Sequence, residues 1–304
     1  MLTRRNLFKT AGLATAAVML PTAGFSVPLK KESAFRFSLN TSTIRGQNPG
    51  LLPSIDIASK AGYDGIELWV QDVKQYLNSG NSAQSLKKHI ADSGLKVENA
   101  IGFAPWLLGQ KGFEQMKSDM DMMASIGCSR IAAPAAGVPY DQSFDLMEAG
   151  HKYKALIELG RQTGVMPLLE FWGGSKGLYH LGQAMMVASV ANDPDVKILA
   201  DVFHLFLGNS GFDGLKMLNG NVIEVFHMND YVASIPRGQQ KDSDRVYPGD
   251  GAAPMKQILT DLRNMGGTKV LSLELFNETY GKQDALLVAS TGLRKMKELV
   301  GQIE

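Results

Sequence analysis

The sequence predicts a single (β/α)8 barrel, and three observations point to it. Short apolar runs alternate with stretches of helical spacing from residue 35 to the end of the chain, at a repeat of roughly 25–45 residues. Glycine closes helical stretches at Gly62, Gly94, Gly127 and Gly164, the residue favoured just past a helix end. Four successive late runs each terminate in a charged or imidazole side chain, at Glu170, Asp201, His227 and Glu274. Active sites of such barrels lie at the C-terminal strand ends. The runner-up, a doubly wound open sheet, lacks a Gly-x-Gly-x-x-Gly turn opening an early helix.

Taken in order, the first strand covers 35–40, and Leu51 opens a helix over 51–61. Gly65 to Val70 reads as the second strand, followed by a helix over 82–93. The third strand spans 95–101. The helix after it, 113–126, carries Met116, Met120 and Met123 at helical spacing, a stripe suited to filling a core. The fourth strand, 129–133, precedes a long helix over 144–163. The strands ending at Glu170, Asp201, His227 and Glu274 are followed by helices over 180–191, 212–218, 254–265 and 284–300. A long loop, 231–253, separates the seventh strand from its helix; loops of this length are commonly functional.

The first 26 residues read as a targeting segment. Thr3-Arg4-Arg5-Asn6-Leu7-Phe8-Lys9 resembles a twin-arginine export motif, with an apolar run over 11–20 and small residues over 23–26 behind it. That run is shorter than the ~20 residues of a spanning helix, so no stable membrane insertion is expected. The expected organisation is a signal peptide at 1–26, a linker at 27–34 and a barrel at 35–304. The expected location is periplasmic or extracellular, with the twin-arginine export machinery as a partner.

Composition narrows the function classes. Lys and Arg number 31 against 30 Asp and Glu, and Arg4, Arg5 and Lys9 would leave with the leader, turning a net +1 into −2. No basic field favours a nucleic-acid backbone. Cys128 is the only cysteine, so no internal disulfide forms. A homo-oligomer is compatible with the sequence, which does not specify one.

A carboxylate or imidazole at the tip of a buried strand is costly unless something binds it. Glu170, Asp201, His227 and Glu274, on four successive strands at spacings of 31, 26 and 47 residues, suggest one divalent ion at the barrel mouth. Their mixed oxygen and nitrogen set suits Mn²⁺, Mg²⁺, Co²⁺ or Zn²⁺.

Leu169-Glu170-Phe171, Asp201-Val202-Phe203-His204, His227-Met228-Asn229-Asp230, Asp244-Arg245-Val246-Tyr247-Pro248-Gly249-Asp250-Gly251 and Ser272-Leu273-Glu274-Leu275-Phe276 together resemble the sugar-phosphate isomerase/epimerase superfamily. This is the xylose-isomerase-like barrel group, and within it the inosose (2-keto-myo-inositol) isomerases are most similar. Glu274 through Tyr280 to Lys282 extends the likeness, which spans roughly residues 35–300. The resemblance implies one metal held by Glu170, Asp201, His227 and Glu274. It implies proton transfer beside a carbonyl through a metal-stabilised enediolate, with Glu170 and Glu274 as acid and base. It implies substrate contacts from His204 and Arg245, whose planar fork suits paired oxygens.

Each residue also has a plainer reading. His204 could cap the following helix, Arg245 could be a solvated loop charge, and Lys282 could touch substrate or sit on the surface. Asp230 could orient a ligand or only form a turn. Trp69, Phe103, Trp106 and Trp172 could wall a sugar pocket or fill the core. Glu67 could touch substrate or pair with a buried lysine or arginine. His89, His151 and His180 fall in or at helices, as surface or capping residues. Their placement argues against the three-zinc endonuclease-IV-type barrels of the same superfamily.

Ketose 3-epimerases carry a second glutamate six residues past the fifth-strand ligand, where this chain has Lys176. The expected function is therefore a metal-dependent isomerase or epimerase of a non-phosphorylated keto-polyol, a sugar or cyclitol. The alternatives are a dehydratase or lyase on a keto-sugar or inosose, and a non-catalytic periplasmic sugar-binding barrel.

Overall fold

A computed structural model describes residues 33–304. The expected signal peptide, and the linker up to residue 32, lie outside the described residues. Among the described residues eight strands form one parallel sheet: β1 (Phe35–Asn40), β2 (Gly65–Trp69), β3 (Lys96–Ile101), β4 (Arg130–Ala133), β5 (Met166–Glu170), β6 (Ile198–Asp201), β7 (Val225–Met228) and β8 (Lys269–Leu273). Their order is β3-β2-β1-β8-β7-β6-β5-β4. The sheet curls into a nearly closed barrel, with β3 and β4 at its two edges. Arg130 stitches this seam by donating to the Glu98 carbonyl at 3.1 Å.

Helices alternate with the strands: α1 (Leu51–Ala61), α2 (Val70–Asn78), α3 (Ala83–Asp92), α4 (Gln110–Ser125), α5 (Leu146–Thr163), α6 (Leu181–Ala191), α7 (Val202–Leu207), α8 (Met255–Asn264) and α9 (Ala285–Gly301). Two of them correct the sequence expectation. Val70 opens α2 rather than ending β2, and α7 starts directly after Asp201. The segment expected as a helix over 212–218 is a short 3-10 turn, Asp213–Met217. Met116, Met120 and Met123 are fully buried as core filler. His180 caps α6, and His89 pairs with Asp56 at 2.8 Å. None of the described helices is long and apolar enough to cross a membrane.

Period-two alternation along the strands places the site. One buried cluster takes Ile101, Ala132, Leu168, Leu199, Val225 and Val270, one residue from each of β3 to β8. Such a ring meets only across the barrel interior. Successive side chains of a strand point to opposite faces. Glu170, Asp201 and His227 each stand two residues beyond a member of this ring, and Glu274 stands four beyond Val270. All four therefore face inward at the top of the barrel.

Candidate metal centre and active site

Asp201, His227 and Glu274 bring one ligand-type atom each within 4.8 Å of one another. His227 is fully buried. Its Nε2 lies 3.0 Å from Glu67 Oε1. Its Nδ1 is buried without a hydrogen-bond partner, 3.2 Å from Glu274 Oε2 and 3.8 Å from Asp201 Oδ2. An imidazole nitrogen left unpartnered between two carboxylates, with the opposite ring nitrogen tied to a third, is the donor arrangement a divalent cation takes. The residues present fit such an ion.

Glu170, expected as a fourth ligand, lines the same cavity but falls outside this triad. Burial, aided by the charges of Glu274 and Asp201, pushes its carboxyl up to about 8. Asp201 goes the other way. Burial would raise it, but Arg245, His204 and His227 hold it well below the usual carboxylate range. Asp201 Oδ1 also accepts the His204 N–H at 2.9 Å, and Oδ2 accepts from Asn229 Nδ2 at 2.9 Å.

Arg245 is 1% exposed, so it is no solvated loop charge. Its Nη1 donates to Asp201 Oδ2 and to Glu274 Oε2, both at 2.8 Å, and its Nη2 donates to Asp242 at 2.6 Å. The guanidinium lies between the rings of Phe203 and Phe276, at 4.9 and 5.1 Å. His204 Nε2 is 3.2 Å from Arg245 Nη2, and its Nδ1 is 3.3 Å from the Gly173 amide. Burial holds His204 below its ordinary range.

Asp230 anchors the loop that delivers Arg245. Its carboxylate accepts the backbone N–H groups of Tyr231, Gly249, Gly251 and Ala253 at 2.8–3.1 Å. A Cβ at Gly251 would lie 2.4 Å from Asp230 Oδ1, so glycine is required there.

Glu170, His204, Arg245, Glu274 and Trp172 line one cavity with Trp69, Phe103, Tyr140 and Phe276. Its volume of about 220 Å³ lies below the ~300 Å³ at which drug-sized ligand pockets begin, so it encloses one monosaccharide-sized unit. Three expectations need correction. Trp106 is fully buried away from this cavity, its indole N–H donated to the Pro134 carbonyl at 2.7 Å. Glu67 does not line the cavity. It is fully buried, and accepts from Asn40, Asn99 and Ser272 as well as facing His227. Lys282 is exposed and lines a neighbouring cavity instead.

Sequence reasoning missed Asn40, Asn229, Asp242 and Tyr140. Asn40 donates to both Glu67 (2.9 Å) and Glu274 (3.0 Å). It ends β1 just as the ligands end their strands, and that position was the available signal. Asn229 lay inside a motif already noted, and its strand-tip place next to His227 was the clue.

A barrel with this constellation at its C-terminal mouth belongs to a recognised class. The xylose isomerase-like TIM barrel family matches residues 55–299, and the chain is a member of it. An inosose isomerase of Bacillus licheniformis is 26% identical over 273 residues, covering 84% of this chain and 94% of that protein. A 3-dehydroshikimate dehydratase of Pseudomonas aeruginosa is 25% identical over 275 residues, covering 85% of this chain and 41% of that protein. Among solved structures, the IOLI protein with a bound zinc atom shares the fold with a TM-score of 0.79 at 23% identity. That match covers 88% of this chain and 99% of the other.

Proposed function

We propose that the protein is a divalent-metal-dependent isomerase or epimerase of a non-phosphorylated keto-polyol: a keto-inositol, ketose or keto-glycoside. The observation that carries this reading is the convergence of Asp201, His227 and Glu274, with Glu274 also lining a small cavity that it shares with Glu170. Asp201, His227 and Glu274 would hold the ion. A bound divalent cation supplies Lewis-acid stabilisation of negative charge on the substrate oxygens.

The chain's own groups handle the proton. Glu274 takes it from the carbon beside the carbonyl. Glu170, protonated at neutral pH in the ion-free site, returns one to the opposite face or to the neighbouring carbon. Arg245 and His204 orient substrate oxygens, and the aromatic walls exclude water. Phosphate is a poor fit, because three carboxylates already surround the one guanidinium that reaches the cavity. Export through the twin-arginine signal in residues 1–26 completes the reading, and fractionation of cells expressing an Arg4→Lys, Arg5→Lys chain tests it.

Metal analysis, followed by a keto-polyol panel with and without chelator, tests the reaction. Turnover that requires the ion and vanishes in Glu274→Gln supports it. Metal-independent turnover, or none on any member, refutes it. The dehydratase relatives favour a second reading, in which the same proton loss expels a β-hydroxyl. NMR in D₂O separates the two: an isomerase or epimerase places deuterium on carbon with the skeleton intact, and a dehydratase releases water.

A further inference from the structure

The reaction cavity holds one ring, yet a second cavity of about 380 Å³ adjoins it through Phe276, which lines both. We infer that this second cavity is a binding subsite for a further sugar unit, so that the substrate is a glycoside of at least two rings. The inference rests on the neighbouring cavity being the reaction chamber.

The second cavity is built by the segments that follow β1 and β8, adjacent strands of the barrel. It therefore opens on the same face as Glu274, two residues before Phe276. The two segments meet backbone to backbone at Gly46 and Gly281. A Cβ on Gly46 would stand 2.6 Å from the Gly281 Cα, so this wall exists only with glycine.

Three of its polar groups, Ser42, Glu278 and Lys282, are spare. Ser42 is 4% exposed and its Oγ has no hydrogen-bond partner. A buried hydroxyl left unpaired costs stability unless a ligand completes it. The Ser42 backbone is pinned by Asn40 Oδ1 at 3.0 Å, so the hydroxyl is held in place. Lys282 and Glu278 line the same space, and among the described residues neither forms an ion pair. Arg45 closes the inner side, its guanidinium 4.0 Å from the Trp69 ring centroid and held by Asp72 at 2.8 Å.

Charge chooses the ligand class. An anion would meet Lys282 but also Glu278. A neutral polyol satisfies both, donating hydroxyls to Glu278 and accepting from Lys282 and Ser42. Phe276 adds the apolar surface on which the C–H face of a pyranose stacks.

Calorimetric titration of the full chain with gluco- and galacto-configured disaccharides, against the matching methyl glycosides, tests the subsite. At least one disaccharide is expected to bind about tenfold tighter than its methyl glycoside, the value of roughly one or two added hydrogen bonds. Lys282→Ala, at an exposed position, and Ser42→Val are each expected to erode that advantage without shifting the melting temperature by more than a degree or so. Equal affinity for the two ligand sizes, no binding of either, or an advantage untouched by both substitutions overturns the subsite. Because titration reads binding and not turnover, failure of the isomerase reading would leave this result interpretable.

Discussion

Glu67 Oε1 stands 3.0 Å from Nε2 of His227, and both side chains are completely buried. Three further donors, Asn40, Asn99 and Ser272, fix the carboxylate. The imidazole therefore presents Nδ1, and not Nε2, to Asp201 and Glu274. Removing the charge of Glu67 while keeping its shape loosens this orientation. Glu67→Gln is expected to weaken divalent-ion affinity by about 10–100-fold. Competition against a chromophoric chelator measures it, and an unchanged affinity would show that Glu67 has no part in presenting His227.

Ion uptake should release protons. Burial alone would strip His227 of its proton, but Glu274 and Glu67 outweigh it and hold the ring protonated well above its ordinary range. Glu170 keeps its proton up to about 8. A cation binds the deprotonated forms, so its affinity rises with pH. Titrating metal near pH 7 in buffers of different ionisation enthalpy should report about one to two protons released per ion. Release of none contradicts the assignment of these ligands.

Arg245 is a counter-ion of Asp201 and Glu274. Without it, only His227 is left to offset the buried charges of Asp201 and Glu274. Arg245→Met is expected to destabilise the ion-free protein by about 3–5 kcal/mol. A saturating divalent cation should recover part of that loss by supplying the missing positive charge. Urea denaturation with and without metal reads both numbers; equal losses in the two conditions would mean that the arginine and the ion do not share a site.

Cys128 should be silent as a nucleophile. Burial pushes its thiol from an ordinary 9.0 up to about 12. The folded-state value is the raised one, so its stabilising contribution is complete below pH 9 and drains away as pH climbs toward 12. At pH 8 a disulfide reagent should label Cys128 only in denaturant. Rapid labelling of the native chain would place the thiol at the surface.

The architecture and the ligand strands were readable because charge at the end of an apolar run is expensive and therefore informative. Glu170, Asp201, His227 and Glu274 announce themselves in this way. Asn40 does not, since a neutral amide at a strand tip costs far less and looks like a turn residue. The helix α2 was hidden because its first residue, Val70, continues the apolar run of β2. Its Val70, Val73 and Leu77 spacing was nonetheless present. Trp106 could not be assigned a side: bulk and apolarity do not say whether a ring faces a pocket or the layer behind it. Lys282 lies beyond β8 as the resemblance implied, yet one cavity away, a distinction of loop geometry that residue spacing does not encode.

The unpaired edge between β3 and β4 lies across the barrel from β7 and β8, the strands that lead to His227 and Glu274. β5, β6, β7 and β8 form an unbroken ladder, and β1, which carries Asn40, continues it. Breathing of the cylinder is thereby channelled away from Asp201, His227 and Glu274. Amide protons flanking the Arg130 stitch should exchange with solvent sooner than those beside His227, and the mouth keeps its dimensions while the opposite wall flexes.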